Sequence, residues 1–279
     1  MIVGVLLAAG ASSRMGTPKA LVRKGGQSFL VHGVRALWGA CDTVVAVVGA
    51  EGERICDEVG DEFDTLVANG LLAPESATGR GRTGDLEVRF EIHRKWAEGM
   101  LSSARVGLAA ALKHKPKGVL LMPVDQPDVR PGTAKLLGDV LEDALGAFGG
   151  ARAGGFAYAL VPRHRGRRGH PLALSAGLAA AIVADRAARD LSDAVRRNAR
   201  LVGYLDVADP AVVSNLNTPA AVRASARPAA PNAAARPARK NGGKAPGKSA
   251  AKPARKQARK GSAKSAARPA KSGSKRRTR

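Results

Sequence analysis

The segment Val5-Leu-Leu-Ala-Ala-Gly-Ala-Ser-Ser-Arg-Met-Gly-Thr-Pro-Lys-Ala-Leu21 decides the fold. The apolar run from Ile2 to Ala9 is short and stops at Gly10, the pattern of a strand covered on both faces in a parallel sheet. Gly10 and Gly16 follow, letting the backbone turn and approach a ligand closely, with Ser12, Ser13, Arg14 and Lys19 among them. Exposed amides, hydroxyls and two fixed cations at one strand end suit a polyphosphate. Standing alone, a Gly-Ser loop with two basic residues is more often a solvated turn, and this one departs from the G-x-x-x-x-G-K-[ST] pattern. Its place directly after the first strand tips the reading towards anion binding.

Charge is distributed unevenly. The 279 residues carry a formal net charge of +23, yet residues 224–279 hold 18 of the 46 lysines and arginines and none of the 23 acids. The first 223 residues are therefore nearly balanced and read as one domain, followed by a disordered Lys/Arg/Ala/Pro-rich tail over 224–279. That tail has no aromatic residue and too little apolar surface to fold. It either binds polyanions, nucleic acid included, through counterion release, or serves as a solubilising extension. Cys41 and Cys56 have no C-x-x-C partner and read as reduced structural thiols, which suits a cytoplasmic enzyme. The N-terminal apolar run lacks a basic flank and meets Arg14 too soon for a signal peptide. No stretch reaches the roughly 18 apolar residues of a membrane helix.

Along the chain, Ser28 to Gly39 has helical apolar spacing with Ser28 as N-cap, Thr43 to Val48 is a buried strand, and Glu51 to Val59 is a short polar helix. This alternation predicts an α/β sheet with parallel neighbours. Asn69 to Glu87 breaks the rhythm. It contains the literal G-x-G-x-x-G of Gly79 to Gly84, but no strand precedes it, so it reads as a flexible insertion. Val88 to Ile92 is a strand, and Leu101 to Leu112 a helix whose Ser102 and Ser103 either cap it or face a nucleotide.

Val119 to Met122 is a further buried strand, and Asp125 emerges at its carboxyl end between Pro123 and Pro127. Ligands of open α/β sheets sit at that edge, so metal ligation is preferred here over a turn cap. Pro131 to Ala147 is a helix. Between the apolar runs Ala157 to Val161 and Leu172 to Leu174, the segment Arg163 to Pro171 holds four arginines with His164 and His170. It is either a solvated face or a clamp for an anionic substrate. Leu201 to Val207 is a late strand, and Asn217 either caps the helix opened by Pro219 or reaches the same metal as Asp125.

Five blocks, in order, now carry a resemblance: Leu7 to Lys19, Trp96-Ala-Glu-Gly-Met100 with Ser102-Ser103, Asp125-Gln-Pro127, Arg168-Gly-His-Pro171 and Asn217-Thr-Pro219. Over roughly residues 1–223 the chain resembles the molybdenum cofactor nucleotidyltransferases, and among them the molybdopterin cytidylyltransferase type. The resemblance implies an α/β fold with a Rossmann-like, mostly parallel sheet flanked by helices, of the nucleotide-diphospho-sugar transferase (GT-A-like) type. It implies Mg²⁺-dependent transfer of a nucleoside monophosphate to the phosphate of molybdopterin or the molybdenum cofactor, with pyrophosphate released. The triplet Ala8-Ala9-Gly10 resembles the branch that uses CTP.

By the same resemblance Arg14, Lys19 and Asp125 are catalytic, and Asp125 with Asn217 holds the metal. Leu7, Ala8, Ala9, Gly10, Ser12, Ser13, Gly16, Ser102, Ser103 and His170 line the nucleotide and its acceptor, and a molybdoenzyme or its chaperone is the downstream partner. Asn215 and Asn217 stand where many relatives carry Asp. Two other classes share these features: a sugar-phosphate nucleotidyltransferase, and a polyanion-binding protein with a degenerate transferase body.

Overall fold

A computed structural model describes residues 1–10, 12, 15–68, 87–147 and 156–225. The expected insertion and tail lie outside these residues, except that Glu87 opens a strand and Ala224 and Ser225 finish the last helix.

In chain order the elements are β1 (Ile2–Ala8), β2 (Arg23–Lys24), β3 (Gln27–Ser28), α1 (Phe29–Trp38), β4 (Thr43–Val48), α2 (Gly52–Ala68), β5 (Glu87–Ile92), α3 (Met100–Leu112) and β6 (Gly118–Pro123). Then follow α4 (Pro131–Ala147), β7 (Tyr158–His164), β8 (Arg167–Arg168), β9 (Leu172–Ser175), α5 (Ala176–Ala184), α6 (Leu191–Asn198), β10 (Leu201–Asp206) and α7 (Pro219–Ser225). The main sheet runs β5-β4-β1-β6-β9-β7-β10. It is parallel except for β9, which is antiparallel to both β6 and β7, and for the short β8, antiparallel to β7.

The continuous apolar runs have a simple cause. Every residue of β1 is buried, and alternate side chains enter different cores: Ile2, Leu6 and Ala8 on one face, Val3, Val5 and Leu7 on the other. In β4, Val44, Ala46 and Val48 take the first face and Val45 and Val47 the second. Helices α1, α2 and α4 cover the first face, and α3, α5 and α6 the second. A strand sandwiched this way has no polar side, so period-two alternation is absent from its sequence. Helix α3 lies close on the sheet at Gly107, where a Cβ would stand 2.5 Å from Val5 Cγ1 and 2.7 Å from Val47 Cγ2.

Two local expectations change. Helix α2 extends to Ala68 rather than ending near Val59, because buried Leu66 continues the helical spacing of Ile55 and Val59 across an otherwise acidic surface. Helix α3 begins at Met100 with Gly99 as its N-cap, so neither Ser102 nor Ser103 caps it. Ser28 does cap α1, its Oγ accepting from Val31 N at 3.3 Å. Among the described residues no helix is long and apolar enough to cross a membrane. The parallel register of β4, β1 and β6 brings their carboxyl ends to one edge, and the strand order diverges on either side of β1, the place where open α/β sheets form a crevice.

Candidate active site

A cleft of about 390 Å³ opens at that edge. Its floor is the end of β1, Leu7 to Gly10, beside the end of β6, Pro123 to Asp125. Leu7 and Pro123 pair in the sheet, and Val124 N donates to Leu7 O at 2.9 Å. The loop after β1 is closed by Ser12, whose φ of 52° turns the chain. Its Oγ accepts from Lys19 N at 2.7 Å and donates to Gly10 O at 3.2 Å, while Met15 N donates to Ser12 O at 2.8 Å. Ser12 lines the cleft, yet its hydroxyl bonds are made within the loop, where they fix the base of Lys19. Gly16, at φ 69°, supplies a left-handed turn and is not on the cleft wall. Ser13 and Arg14 lie outside the described residues.

Three distant residues meet at the mouth. Lys19 Nζ lies 3.0 Å from Asp125 Oδ2 and also donates to Asn217 Oδ1. The side chains of Lys19 and Asp125 keep 22% and 13% of their exposure, so the pair is largely but not wholly removed from water. Asp125 Oδ1 is buried with no hydrogen-bond partner. Asn217 does not cap the last helix. Thr218 does, its Oγ1 accepting from Ala221 N at 3.2 Å, which leaves the Asn217 carboxamide to the cleft.

The segment carrying Asn217 is fastened to the β6–α4 connection. Leu216 N donates to Asp125 O at 2.8 Å, and the buried Gln126 donates through Nε2 to Val212 O at 3.1 Å and Asn215 Oδ1 at 2.7 Å. The buried Asp209 carboxylate accepts from Thr133 Oγ1 at 2.8 Å and from the amides of Arg130 and Ala211, each at 3.0 Å. Gln126 and Asp209 were not legible as site residues: one is the middle of Asp-Gln-Pro, and the other is an isolated Asp before Pro210.

Apolar lining comes from Met15, Trp96, Ala97 and Met100. Gly49 lets Trp96 approach β1, since a Cβ there would stand 2.4 Å from Ala9 O and 2.6 Å from Trp96 Cβ. Ser103 lines the cleft, but Ser102 does not. The Ser102 hydroxyl donates to Gly99 O at 2.8 Å and lies 2.9 Å from Nε2 of buried His93. Its one proton goes to Gly99, so His93 Nε2 is the donor in that contact. His93 thus braces the turn carrying Trp96 and Met100, and no motif pointed to it.

His170 is not in this cleft. It lines a second hollow of about 550 Å³ with Gln126, Arg167, Arg168, Gly169 and residues 212–215. Burial pushes the His170 imidazole below its usual pKa, and the nearby Asp125 charge acts in the opposite direction. Among the described residues no group of three or more His, Cys, Asp or Glu side chains is arranged to hold a metal.

The cleft and the cation-bearing loop stand at the carboxyl edge of a mostly parallel sheet, where open α/β sheets take their ligands. Residues 4–201 match the MobA-like NTP transferase domain; the chain belongs to that family and is an enzyme of the nucleotidyltransferase class. It is 31% identical over 224 residues to a protein named nicotine blue oxidoreductase from Paenarthrobacter nicotinovorans, covering 78% of this chain and 92% of that one. Two solved structures share the fold. The Rv0371c protein of Mycobacterium tuberculosis H37Rv has a TM-score of 0.55 at 23% identity, covering 81% of this chain and 97% of that one. A nucleotidyl transferase from Methanothermobacter thermautotrophicus has a TM-score of 0.56 at 18% identity, covering 81% and 95%.

Proposed function

We propose that the cleft transfers CMP from CTP to the phosphate of a molybdopterin-type acceptor in the cytoplasm. An acceptor phosphate oxygen bonds to the α-phosphorus as the bond to the leaving pyrophosphate breaks. The observation that carries this reading is the meeting of Lys19, Asp125 and Asn217 at the mouth of the post-β1 loop. The donor set fits a hard divalent cation such as Mg²⁺. Asp125 Oδ1 is a buried carboxylate oxygen without a partner, Asn217 offers an amide oxygen, and such a cation takes its remaining ligands from phosphates and water. Bound there, the ion would neutralise charge on the phosphate oxygens.

The chain's own residues do the rest. In this reading the Lys19 ammonium, which donates to Asp125 and Asn217, bonds the β- and γ-phosphate oxygens as charge builds on the leaving group, and Arg14, five residues earlier in the sequence, adds a second cation. The nucleophile is already an anion, so no general base is required. The floor at Ala8, Ala9 and Gly10 presents nothing larger than a methyl group, leaving the triphosphate room to lie against the backbone. Trp96 and Met100 offer a flat apolar surface to a base or a pterin.

The name of the 31% identical relative favours a second reading, an oxidoreductase acting on nicotine blue. A reduced nicotinamide dinucleotide would then place its pyrophosphate where the triphosphate lies in the first reading. One experiment separates the two. The full chain is incubated with Mg²⁺ and CTP, GTP or ATP against molybdopterin, molybdenum-loaded cofactor and glucose 1-phosphate, with pyrophosphate release as readout. A parallel set follows oxidation of reduced nicotinamide dinucleotides by nicotine blue. Release confined to CTP with a molybdopterin-type acceptor is the expected result; nicotinamide oxidation without any pyrophosphate release overturns it.

A further inference from the structure

The main sheet ends at β10, and the backbone edge there is built to take a further strand. Among the described residues β10 pairs with β7 alone. Leu201 N donates to Ala157 O and Val207 N to Arg163 O, so the odd-numbered residues turn their N–H and C=O groups towards β7. By alternation Val202, Tyr204 and Asp206 present theirs outward. An open row of this kind is a template for pairing, which proteins guard with charge, proline or a cover. The opposite edge is guarded, since β5 carries Glu87, Arg89 and Glu91 within six residues. Strand β10 has no proline and one charge, at its last position, and it leaves Leu201 43% and Tyr204 41% exposed.

A second copy of this chain fits the edge in one register. Closed association about a two-fold axis makes the two strands antiparallel, with every facing pair formed twice. An axis through Gly203 sets Val202 opposite Tyr204, Leu201 opposite Leu205 and Arg200 opposite Asp206. These are apolar–aromatic, apolar–apolar and opposite-charge pairs, the combinations that stabilise neighbouring strands. The outward groups of Val202 and Tyr204 then face one another as a hydrogen-bonded pair, and Gly203 meets its copy with no side chain between them. Moving the axis by one residue spoils the match. At Val202 it sets Arg200 against Tyr204 and Asp206 against Asn198, and at Tyr204 it sets Val202 against Asp206. Asp206 is open to a second cation: it accepts from Arg163 Nε at 3.1 Å and Nη2 at 2.8 Å, yet its side chain stays 70% exposed.

We propose that β10 is the self-association surface of this chain, pairing antiparallel about Gly203 with β10 of a second copy. The two sheets then become one continuous sheet with like faces on the same side. Strand β10 runs parallel to β1, by way of β7, β9 and β6, so the carboxyl edges of the two copies point in opposite directions and each cleft stands alone on its own edge. The association depends on neither reading of the cleft. Pairing through one short strand is a small interface, of the weak and reversible class.

Sedimentation of the full chain at about 0.15 M salt, where long-range charge effects are screened, tests this. The wild type should self-associate reversibly with a midpoint below about 100 μM. Arg200→Asp and Asp206→Arg each turn two attractions into two repulsions and should weaken association at least about fivefold. An equimolar mixture of the two variants should restore it, because every facing charged pair in a mixed dimer is again of opposite sign, and the chain carrying both changes should recover as well. Hydrogen exchange supplies a readout on the unaltered protein: the amides of Val202, Tyr204 and Asp206 should slow as concentration rises, while that of Gly203, turned to β7, should not. A chain that stays monomeric up to about 100 μM overturns the assignment. So does association indifferent to both reversals, a loss in the single variants that the mixture fails to restore, or association that leaves the three outward amides unprotected.

Discussion

Lys19→Met tests two consequences of one ion pair. Deleting one member of a fully buried pair costs about 3–5 kcal/mol, because the other charge is left without a partner in a poor solvent. Here water reaches part of both side chains, 22% for Lys19 and 13% for Asp125, so screening reduces the loss to about 2 kcal/mol. For a domain of this size that lowers the midpoint of thermal unfolding by about 4–8 °C. Asp125→Asn added to Lys19→Met should restore at least about 1 kcal/mol, since the uncompensated carboxylate is gone. Turnover should respond differently. A cation aimed at developing phosphate charge contributes about 10²- to 10³-fold, so pyrophosphate release should fall by that factor in Lys19→Met and stay low in the double variant. Calorimetry and a coupled pyrophosphate assay on the same preparations read both quantities. Additive melting shifts would show that the pair does not form in solution, and recovered turnover in the double variant would refute the assignment of Lys19 to the phosphates.

Three further substitutions probe the supports of the site. Ser12→Ala removes the acceptor for Lys19 N and should cost about 1 kcal/mol in urea unfolding while raising KM for the triphosphate more than it lowers kcat. Gly49→Ala forces a Cβ against Ala9 O and Trp96, which should destabilise the chain by about 1–3 kcal/mol and red-shift the emission of Trp96 in a Trp38→Phe background. Asp185 is held down to about 2, first by the Asn198 amide, then by the backbone amide of Ala187 and by Arg197. A folded pKa below the unfolded value contributes stability above about pH 4, lost as pH falls towards 2. Asp185→Asn should therefore flatten the acid limb of a stability–pH profile between those values.

The parallel half of the sheet was legible because burial on both faces leaves an unmistakable trace: Ile2 to Ala9 and Thr43 to Val48 are apolar without alternation. The post-β1 loop and Asp125 were legible for a related reason, since each sits where such a strand stops. What the residues could not reveal was which way side chains face once the chain has folded back on itself. Ser102 and Ser103 are neighbours in one helix, yet the partly exposed Ser102 bonds to His93 and the buried Ser103 lines the cleft. Asn217 had two local readings, and the choice depended on Thr218 taking the cap and on Gln126 and Asp209 fastening the segment from far away in sequence. The length of α2 was obscured because a helix needing only Ile55, Val59 and Leu66 as buried contacts is otherwise free to be acidic.

Strand β9 runs against both of its neighbours, and this reversal divides the sheet in two. On one side lie contiguous parallel strands drawn from the first 123 residues, with the post-β1 loop and Asp125 at their carboxyl edge. On the other lie β7, β8 and β10, drawn from later residues and tied to the first side through side chains such as Gln126 and Asp209. The later half is not independent of the first, since Asn217, which follows β10, accepts from Lys19 at the cleft. The reversal at β9 offers engineers a natural line along which to recombine relatives.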